Sequence, residues 1–378
     1  MLKKITAAIV LSLLSCSLFA IKRPVPSAPQ IGARNYILMD YHSGKIIASK
    51  TPHQKIDPAS ITKLMTAYVV FNEIRSSNIN LDDMVSISEK AWRTEGSRMF
   101  IEVGKKVKVE DLLQGMIIQS GNDASVALAE HTAGAEDTFA QYMNQYATKI
   151  GMKNTHFMNC TGLPHEKHYT TAYDIAILSR HLISEFPEYY PWYSQKAFTF
   201  NNIEQKNRNK LLYMDDKFDG LKTGYTEAAG YCLAASAKSE GMRLISVVLG
   251  TESPDARADQ SRKLLNYGFR FYETVKLFAK GDTVSEMDIW KGDKDKLSLG
   301  VDKHLYLTIP RGRYDTLSAS AEIPNQLMAP VTKNDKIGKL TIKMADKAIM
   351  DVPLIANSTV KDGGFIEVIK DSVLLWFE

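Results

Sequence analysis

Two strand hairpins enclose a long helical region, and this order constrains the fold more than any other feature of the 378-residue sequence. The first hairpin pairs residues 36–40 with 45–48, and the second pairs residues 231–237 with 243–250. Between them, apolar residues recur at helical spacing in five runs, at residues 61–71, 109–119, 122–131, 138–150 and 171–184. We therefore expect the α+β class, with one antiparallel sheet assembled from N- and C-terminal pieces around a helical insertion.

The pattern changes after the helix expected at residues 257–271. Short alternating runs follow at residues 305–309, 317–323, 339–344 and 349–355, which predict a small all-β domain. The length allows two or three domains. We place the first domain at residues 28–272, the β domain at residues 275–361 and a terminal segment at residues 362–378.

The N-terminus has the three parts of a secretory signal peptide. Lys3 and Lys4 precede an apolar run over residues 5–14, and small residues follow up to Ala20. The apolar run is shorter than the roughly 20 residues needed to cross a bilayer. We expect residues 1–20 to be cleaved during export; a weaker lipoprotein-like pattern leaves lipidation of Cys16 as an alternative.

Charge and cysteine content exclude two further classes. The chain has 47 basic and 43 acidic residues, a formal charge of +4, which argues against a nucleic-acid-binding surface. Cys160 and Cys232 are the two cysteines after the leader, and two thiols in a chain of this size do not make a disulfide scaffold. We expect both to be free and buried.

The C-terminal segment has an amphipathic helical pattern. Its apolar residues stand at positions 365, 366, 369, 373, 376 and 377. Such a helix lies flat on a membrane surface through its apolar area, although Glu367 and Asp371 weaken attraction to anionic lipids. The alternative is a terminal element docked on the β domain.

An S-x-x-K motif is the first element with chemical meaning. Ser60 and Lys63 are three residues apart, which on a helix puts both on one face with Cβ atoms about 5–6 Å apart. An uncharged lysine can then take the serine proton. The motif also occurs by chance at Ser358–Lys361, but only Ser60 follows an expected N-cap, Asp57, with Pro58 at the first helical position.

Two tripeptides follow in a fixed order. Ser120-Gly121-Asn122 joins two helical runs and supplies a hydroxyl and an amide, and Lys222-Thr223-Gly224 precedes the second hairpin with a cation, a hydroxyl and a glycine. Each tripeptide is common, whereas the ordered set S-x-x-K, S-x-N, K-T-G is a specific signature of penicillin-binding proteins and serine β-lactamases.

With these motifs the chain resembles the class C, low-molecular-mass penicillin-binding proteins, which are serine-type D-alanyl-D-alanine carboxypeptidases. The likeness extends from about residue 28 to the C-terminus and is strongest with Gram-negative members. It implies a penicillin-binding/β-lactamase-like first domain, followed by the β domain and an amphipathic helix.

The resemblance also implies roles for individual residues. Ser60 is the expected nucleophile and Lys63 its base, with Ser120 and Lys222 relaying the proton. The oxyanion donors implied are the backbone N–H groups of Ser60 and Tyr225. The substrate-binding residues implied are Asn122, Thr223, Gly224, Tyr225 and Arg257, the last as the arginine for the substrate's terminal carboxylate; from sequence alone, Arg257 also fits an ordinary surface cation.

The expected partners are a peptidoglycan stem pentapeptide ending in D-Ala-D-Ala, β-lactam antibiotics and the inner-membrane surface, on its periplasmic side. We expect no cofactor and no metal: His165-Glu166-Lys167-His168 is one residue short of a zinc protease motif. Two rival functions remain, a class A β-lactamase, whose E-x-x-x-N element is missing, and a catalytically silent cell-wall-binding protein of the same fold.

Overall fold

The computed structural model describes residues 24–374 and Trp376. The predicted signal peptide, with Cys16, and residues 375, 377 and 378 of the terminal segment lie outside the described residues. Ser27–Arg270 forms one compact unit, and the chain from Phe271 onward belongs to another.

The first unit is built on a five-stranded antiparallel sheet. Its strand order is β2-β1-β9-β8-β7, so the first and last strands of the unit share one sheet, as the hairpin pattern predicts. The strands of this sheet are β1 Asn35–Asp40, β2 Ile46–Lys50, β7 Phe218–Thr226, β8 Gly230–Ser239 and β9 Met242–Thr251, and two short ribbons comprise β3 Met84–Ser86 with β4 Lys106–Lys108, and β5 Ala197–Phe200 with β6 Ile203–Lys206.

The helices of this unit are those that the 3.6-residue periodicity predicts, together with the short α2, which was not predicted. They are α1 Lys63–Arg75, α2 Glu89–Arg93, α3 Val109–Gln114, α4 Asn122–Ala133, α5 Glu136–Lys149, α6 Ala172–Glu185 and α7 Pro254–Phe271. Helix α1 is the central one: its first ten residues, including Lys63, are all buried, and its apolar side chains belong to the main hydrophobic core. Burial of such a helix holds its N-terminal end rigidly.

The second unit is mainly β-sheet with its own core. Its strands are β10 Tyr272–Phe278, β11 Ser285–Asp288, β12 Lys296–Gly300, β13 Leu305–Pro310, β14 Leu317–Glu322, β15 Lys336–Met344 and β16 Lys347–Ala356. They form a five-stranded sheet in the order β11-β12-β16-β15-β14 and a β10-β13 pair. The pattern of alternation predicted β13 to β16, whereas β10, β11 and β12 were missed.

A single helix, α8 Phe365–Leu374, follows the strands of the second unit. Its buried residue is Asp371, whose Oδ2 accepts a hydrogen bond of 2.5 Å from the Lys291 N–H group. The apolar side chains face solvent, with Phe365 82% exposed and Trp376, just beyond the helix, 89% exposed. Among the described residues, no helix is both long enough and apolar enough to cross a membrane.

Candidate active site

Ser60 and Lys63 meet at the N-terminal end of α1. Ser60 lies in a 3-10 turn, Ala59–Thr62, and Lys63 is the first residue of α1 itself. The Lys63 Nζ and Ser60 Oγ atoms are 3.1 Å apart. Ser60 is half-buried, while Lys63 is almost completely buried. A hydroxyl that a substrate can reach therefore touches an amine that water cannot easily solvate.

The expected N-cap at Asp57 is wrong. Pro58 precedes the 3-10 turn, no side chain caps that turn, and Thr62 occupies the cap position of α1. The helix begins later than expected because Ala59 has φ 48°, a left-handed conformation that interrupts helical geometry immediately before Ser60. Backbone strain of this kind clusters at functional sites in proteins.

Three oxygen atoms surround the Lys63 amine. Besides Ser60 Oγ, its Nζ lies 2.7 Å from Asn122 Oδ1 and 2.6 Å from the backbone oxygen of Thr161. Burial lowers the pKa of Lys63 to about 7, and the positive charge of Arg208 acts in the same direction. A substantial share of the amine is therefore neutral near neutral pH.

The neutral amine has two N–H bonds and one lone pair. If Asn122 Oδ1 and Thr161 O accept the two N–H bonds, the lone pair is left for the Ser60 hydroxyl, which then donates to Lys63. After it takes the serine proton, the ammonium has a hydrogen-bond acceptor for each of its three protons. The site accommodates both protonation states.

Ser120 follows a π-helical turn, Gly115–Gln119, and directly precedes the Gly121 cap of α4. It has φ 72°, and its Oγ is buried without a hydrogen-bond partner in the part of the chain that the structure describes. A buried hydroxyl without a hydrogen-bond partner lowers the stability of the fold, so such a group calls for an explanation. Such a hydroxyl is free to form a hydrogen bond with a bound ligand.

Both polar atoms of the Asn122 side chain form hydrogen bonds within the protein. Its Oδ1 accepts from Lys63, and its Nδ2 donates to the Glu95 backbone oxygen at 2.5 Å. The adjacent Asp123 accepts hydrogen bonds from the N–H groups of Met99 and Phe100, each at 3.0 Å. These contacts fix the loop before β4 against the start of α4.

The Lys222-Thr223-Gly224 motif lies ahead of the β8–β9 hairpin, as the sequence predicts, but it also lies inside a strand that was not predicted, β7, at the edge of the sheet. A Cβ atom on Gly224 would lie 3.2 Å from both Ala59 Cβ and the Ile61 nitrogen. The absence of a side chain on Gly224 thus lets β7 approach the Ala59–Thr62 turn closely.

The Lys222 and Thr223 side chains are both buried. Burial, with the charges of Lys63, Arg208 and Arg257, holds the pKa of Lys222 well below its ordinary value. A lowered pKa favours the neutral form of the Lys222 amine.

Arg257 lies in the first turn of α7 and is buried, with 7% of its surface exposed, so it is not an ordinary surface cation. Its Nη1 donates to the Gly224 backbone oxygen at 3.1 Å, and its guanidinium lies 5.7 Å from the centre of the Tyr231 ring. Tyr225, half exposed, stacks on Tyr231 at 4.3 Å. The arginine is therefore held beside the K-T-G strand.

Sequence reasoning missed two parts of the site. Arg208 contributes positive charge that lowers the pKa values of both Lys63 and Lys222, yet it belongs to no motif. Thr161 contributes only a backbone oxygen, which carries no sequence signal. The positive charges of Arg208 and Arg257 favour an anionic group or a developing oxyanion over a neutral ligand.

The histidine-rich loop has a structural use. Burial lowers the pKa of His168 to about 4, so its ring is neutral. His168 Nδ1 accepts from the Met158 N–H group, which leaves Nε2–H to donate to Thr62 Oγ1 at 2.9 Å.

Cys160 and Cys232 are buried free thiols. Within the described ranges, no cluster of three or more His, Cys, Asp or Glu residues is arranged to hold a metal ion.

Two family models match the chain. The model described as D-alanyl-D-alanine carboxypeptidase matches residues 22–253, and the model for the C-terminal domain of penicillin-binding protein 5 matches residues 272–362. The chain is 42% identical to the D-alanyl-D-alanine carboxypeptidase DacA of Escherichia coli K12, over 94% of this chain and 91% of that protein.

Solved structures agree. Penicillin-binding protein 5 from Haemophilus influenzae superimposes with a TM-score of 0.86 at 42% identity, covering 89% of this chain and all of that one. Penicillin-binding protein D2 from Listeria monocytogenes, in its ampicillin-bound form, gives a TM-score of 0.60 at 29% identity, covering 65% of this chain and all of that one.

Proposed function

The chain belongs to the D-alanyl-D-alanine carboxypeptidase family and is an enzyme of the penicillin-binding protein 5 type, and on this premise we propose that Ser60 is its acylated nucleophile. The observation that supports this assignment is the 3.1 Å contact between Ser60 Oγ and Lys63 Nζ, with the two other neighbours of the amine both acceptors.

Acylation proceeds in two stages. The Lys63 lone pair takes the Ser60 proton while Oγ attacks the carbonyl carbon between the two D-alanine residues, and the resulting oxyanion accepts from the N–H groups of Ser60 and Tyr225. The C–N bond then breaks, and the departing amine takes a proton through the coupled set of Lys63, Ser120 and Lys222. Water later cleaves the acyl-Ser60 ester, which regenerates the enzyme and releases the shortened peptide.

Recognition of the terminal carboxylate makes the enzyme a carboxypeptidase. Arg257 and Thr223 bind this carboxylate. Thr223 belongs to the K-T-G strand, and Arg257, which donates to the Gly224 oxygen of that strand, adds a charge-assisted hydrogen bond. Gly224 lets the substrate backbone come close to the strand, with Tyr225 at the entrance. Asn122 Nδ2 exchanges the Glu95 oxygen for a substrate carbonyl and so orients the stem peptide of peptidoglycan.

β-Lactams place a strained amide and a carboxylate in the positions of the substrate's peptide bond and terminus, and therefore acylate Ser60. The ampicillin-bound Listeria relative supports this extension. The test is intact-mass measurement after treatment with benzylpenicillin. We expect wild type to gain the mass of one antibiotic and Ser60→Ala to gain none; no adduct on wild type, or equal adducts on both, would contradict the proposal.

The two rival functions are not favoured. A class A β-lactamase uses an E-x-x-x-N element, which the sequence lacks, and the relatives named above are carboxypeptidases. Release of free D-alanine from a D-Ala-D-Ala peptide separates a carboxypeptidase from a silent wall-binding protein, and slow hydrolysis of the acylated antibiotic separates it from a β-lactamase.

The place of action is the periplasmic side of the inner membrane. The N-terminal pattern of residues 1–20 supports export with cleavage, and the exposed apolar side chains of α8 support peripheral attachment. Deleting residues 365–378 should move the protein from the membrane fraction to the soluble fraction while D-alanine release continues. Unchanged fractionation would rule out this attachment.

A further inference from the structure

The backbone oxygen of Thr161 determines where the Lys63 amine points. It lies 2.6 Å from Nζ, the shortest of the three polar contacts that surround this atom. If this acceptor moved away, the neutral amine would have one N–H bond without a partner and would turn that bond toward Ser60. Its lone pair would then no longer face the serine proton. Acylation thus depends on the position of a carbonyl that belongs to a loop.

The loop that carries this carbonyl is held at several points. Asn159 Oδ1 accepts from the N–H groups of Thr161 at 3.2 Å and Gly162 at 2.8 Å. On the preceding residue, the Cys160 backbone oxygen accepts from Thr66 Oγ1 at 2.7 Å. These contacts set the local shape of the turn, but the N–H and thiol groups of Cys160 require an acceptor outside it.

Glu136, in the first turn of α5, supplies that acceptor. Its Oε1 lies 3.3 Å from the Cys160 nitrogen and 3.2 Å from Cys160 Sγ, and its Oε2 lies 2.8 Å from Lys90 Nζ. The Glu136 side chain is 13% exposed, whereas the Lys90 side chain is mostly in solvent. Burial opposes ionisation, but the bonds from Lys90 and Cys160 outweigh it and lower the pKa of Glu136.

We propose that Glu136 is a positioning residue for the acylation step: it holds Cys160 and thereby keeps the Thr161 carbonyl where it orients Lys63 toward Ser60. The connection runs without a gap from Glu136 Oε1 through Cys160 and the adjoining Thr161 to Lys63 Nζ. Glu136 makes its hydrogen bonds and ion pair with Cys160 and Lys90 and not with Ser60 or Lys63. This inference rests on Ser60 being the nucleophile.

Single-turnover acylation by a fluorescent penicillin tests the proposal, because it separates noncovalent binding of the antibiotic from the acylation rate constant per titratable site. Glu136→Ala removes the acceptor, and we expect its acylation rate constant to fall about tenfold with noncovalent binding unchanged. Glu136→Gln keeps an oxygen acceptor for Cys160 and loses only a largely solvent-exposed ion pair. We expect it to acylate within about twofold of wild type.

Glu185→Ala is the matched control. Glu185 is another partly buried carboxylate of the same unit, and it accepts from Tyr68 and His181 rather than from the loop. Its variant should acylate like wild type. The proposal is overturned if Glu136→Ala keeps the wild-type rate constant, if Gln does not rescue, or if Glu185→Ala loses as much. Absence of acylation in wild type would instead refute the role of Ser60.

Discussion

Globular proteins usually bury apolar side chains and expose basic ones, and the active site and the C-terminal helix depart from this pattern in opposite directions. The active site buries the basic side chains of Lys63, Lys222 and Arg257, while α8 buries Asp371 and leaves Phe365 and its other apolar residues in solvent. Each arrangement costs free energy in an isolated molecule in water. Each therefore points to a function that repays the cost.

The two regions lack different partners: the buried lysines lack water, and the exposed apolar side chains lack an apolar neighbour. Removal of water from a lysine disfavours its charged form, so the buried site gains a base with a usable lone pair. An apolar helix face that is exposed to water is stabilised when an apolar phase covers it, and the interface of a bilayer can supply such a phase. The comparison predicts that charge changes matter most in the first region and apolar changes in the second.

Lys63→Arg tests whether the buried cation must lose its charge. Arginine keeps a positive charge at this position but is not deprotonated in proteins, so it offers no lone pair to Ser60. We expect the acylation rate constant to fall about 1,000-fold, measured with a fluorescent penicillin. Lys108→Arg, at an exposed lysine, should leave the rate unchanged. A Lys63→Arg enzyme with wild-type acylation would contradict the role of a neutral amine.

The double variant Ile366→Asp with Ile369→Asp tests whether the exposed apolar face of α8 binds lipid. Two carboxylates on this face oppose insertion, so partitioning onto phosphatidylcholine vesicles should fall about tenfold or more in sedimentation. Glu367→Gln, on the same helix, should not weaken binding. Equal partitioning of wild type and the double variant would show that apolar area does not attach the helix.

The pH profile of acylation reports the shifted base directly. Burial lowers the pKa of Lys63 to about 7, so the amine is protonated and inactive below that pH and neutral above it. We expect kcat/KM for acylation to rise about tenfold per pH unit below this midpoint and to level off above it. A profile that stays flat from pH 5 to 8 would contradict a depressed pKa.

Asp371→Ala tests what holds α8 in place within the protein. The variant removes the acceptor of the Lys291 N–H group, and we expect a local loss of about 1 kcal/mol, seen as faster hydrogen exchange of that amide. Lys370→Ala, at an exposed neighbour, should leave the exchange rate unchanged. An unchanged rate in Asp371→Ala would mean that the helix is held by other contacts.

Much of the fold could be predicted because its elements have regular periods. The hairpins β1–β2 and β8–β9 and the buried helix α1 follow from alternating and 3.6-residue patterns. Strand β7 was missed because two glycines and a lysine interrupt its alternation, and glycine is depleted in strands. The late start of α1 was missed because the left-handed Ala59 carries no sequence signal.

The sequence by itself determined which chemical groups this protein has and their order along the chain: two serines, two lysines, an asparagine, a threonine and an arginine in a family-specific pattern. Only the tertiary structure decided that the Lys63 side chain is buried away from water and that Gly224 lies against the Ala59–Thr62 turn. It also decided that the Thr161 backbone oxygen is the third polar neighbour of the Lys63 amine. The reason is physical. A side chain's identity is local, whereas its solvation and its backbone neighbours arise from distant segments that pack together.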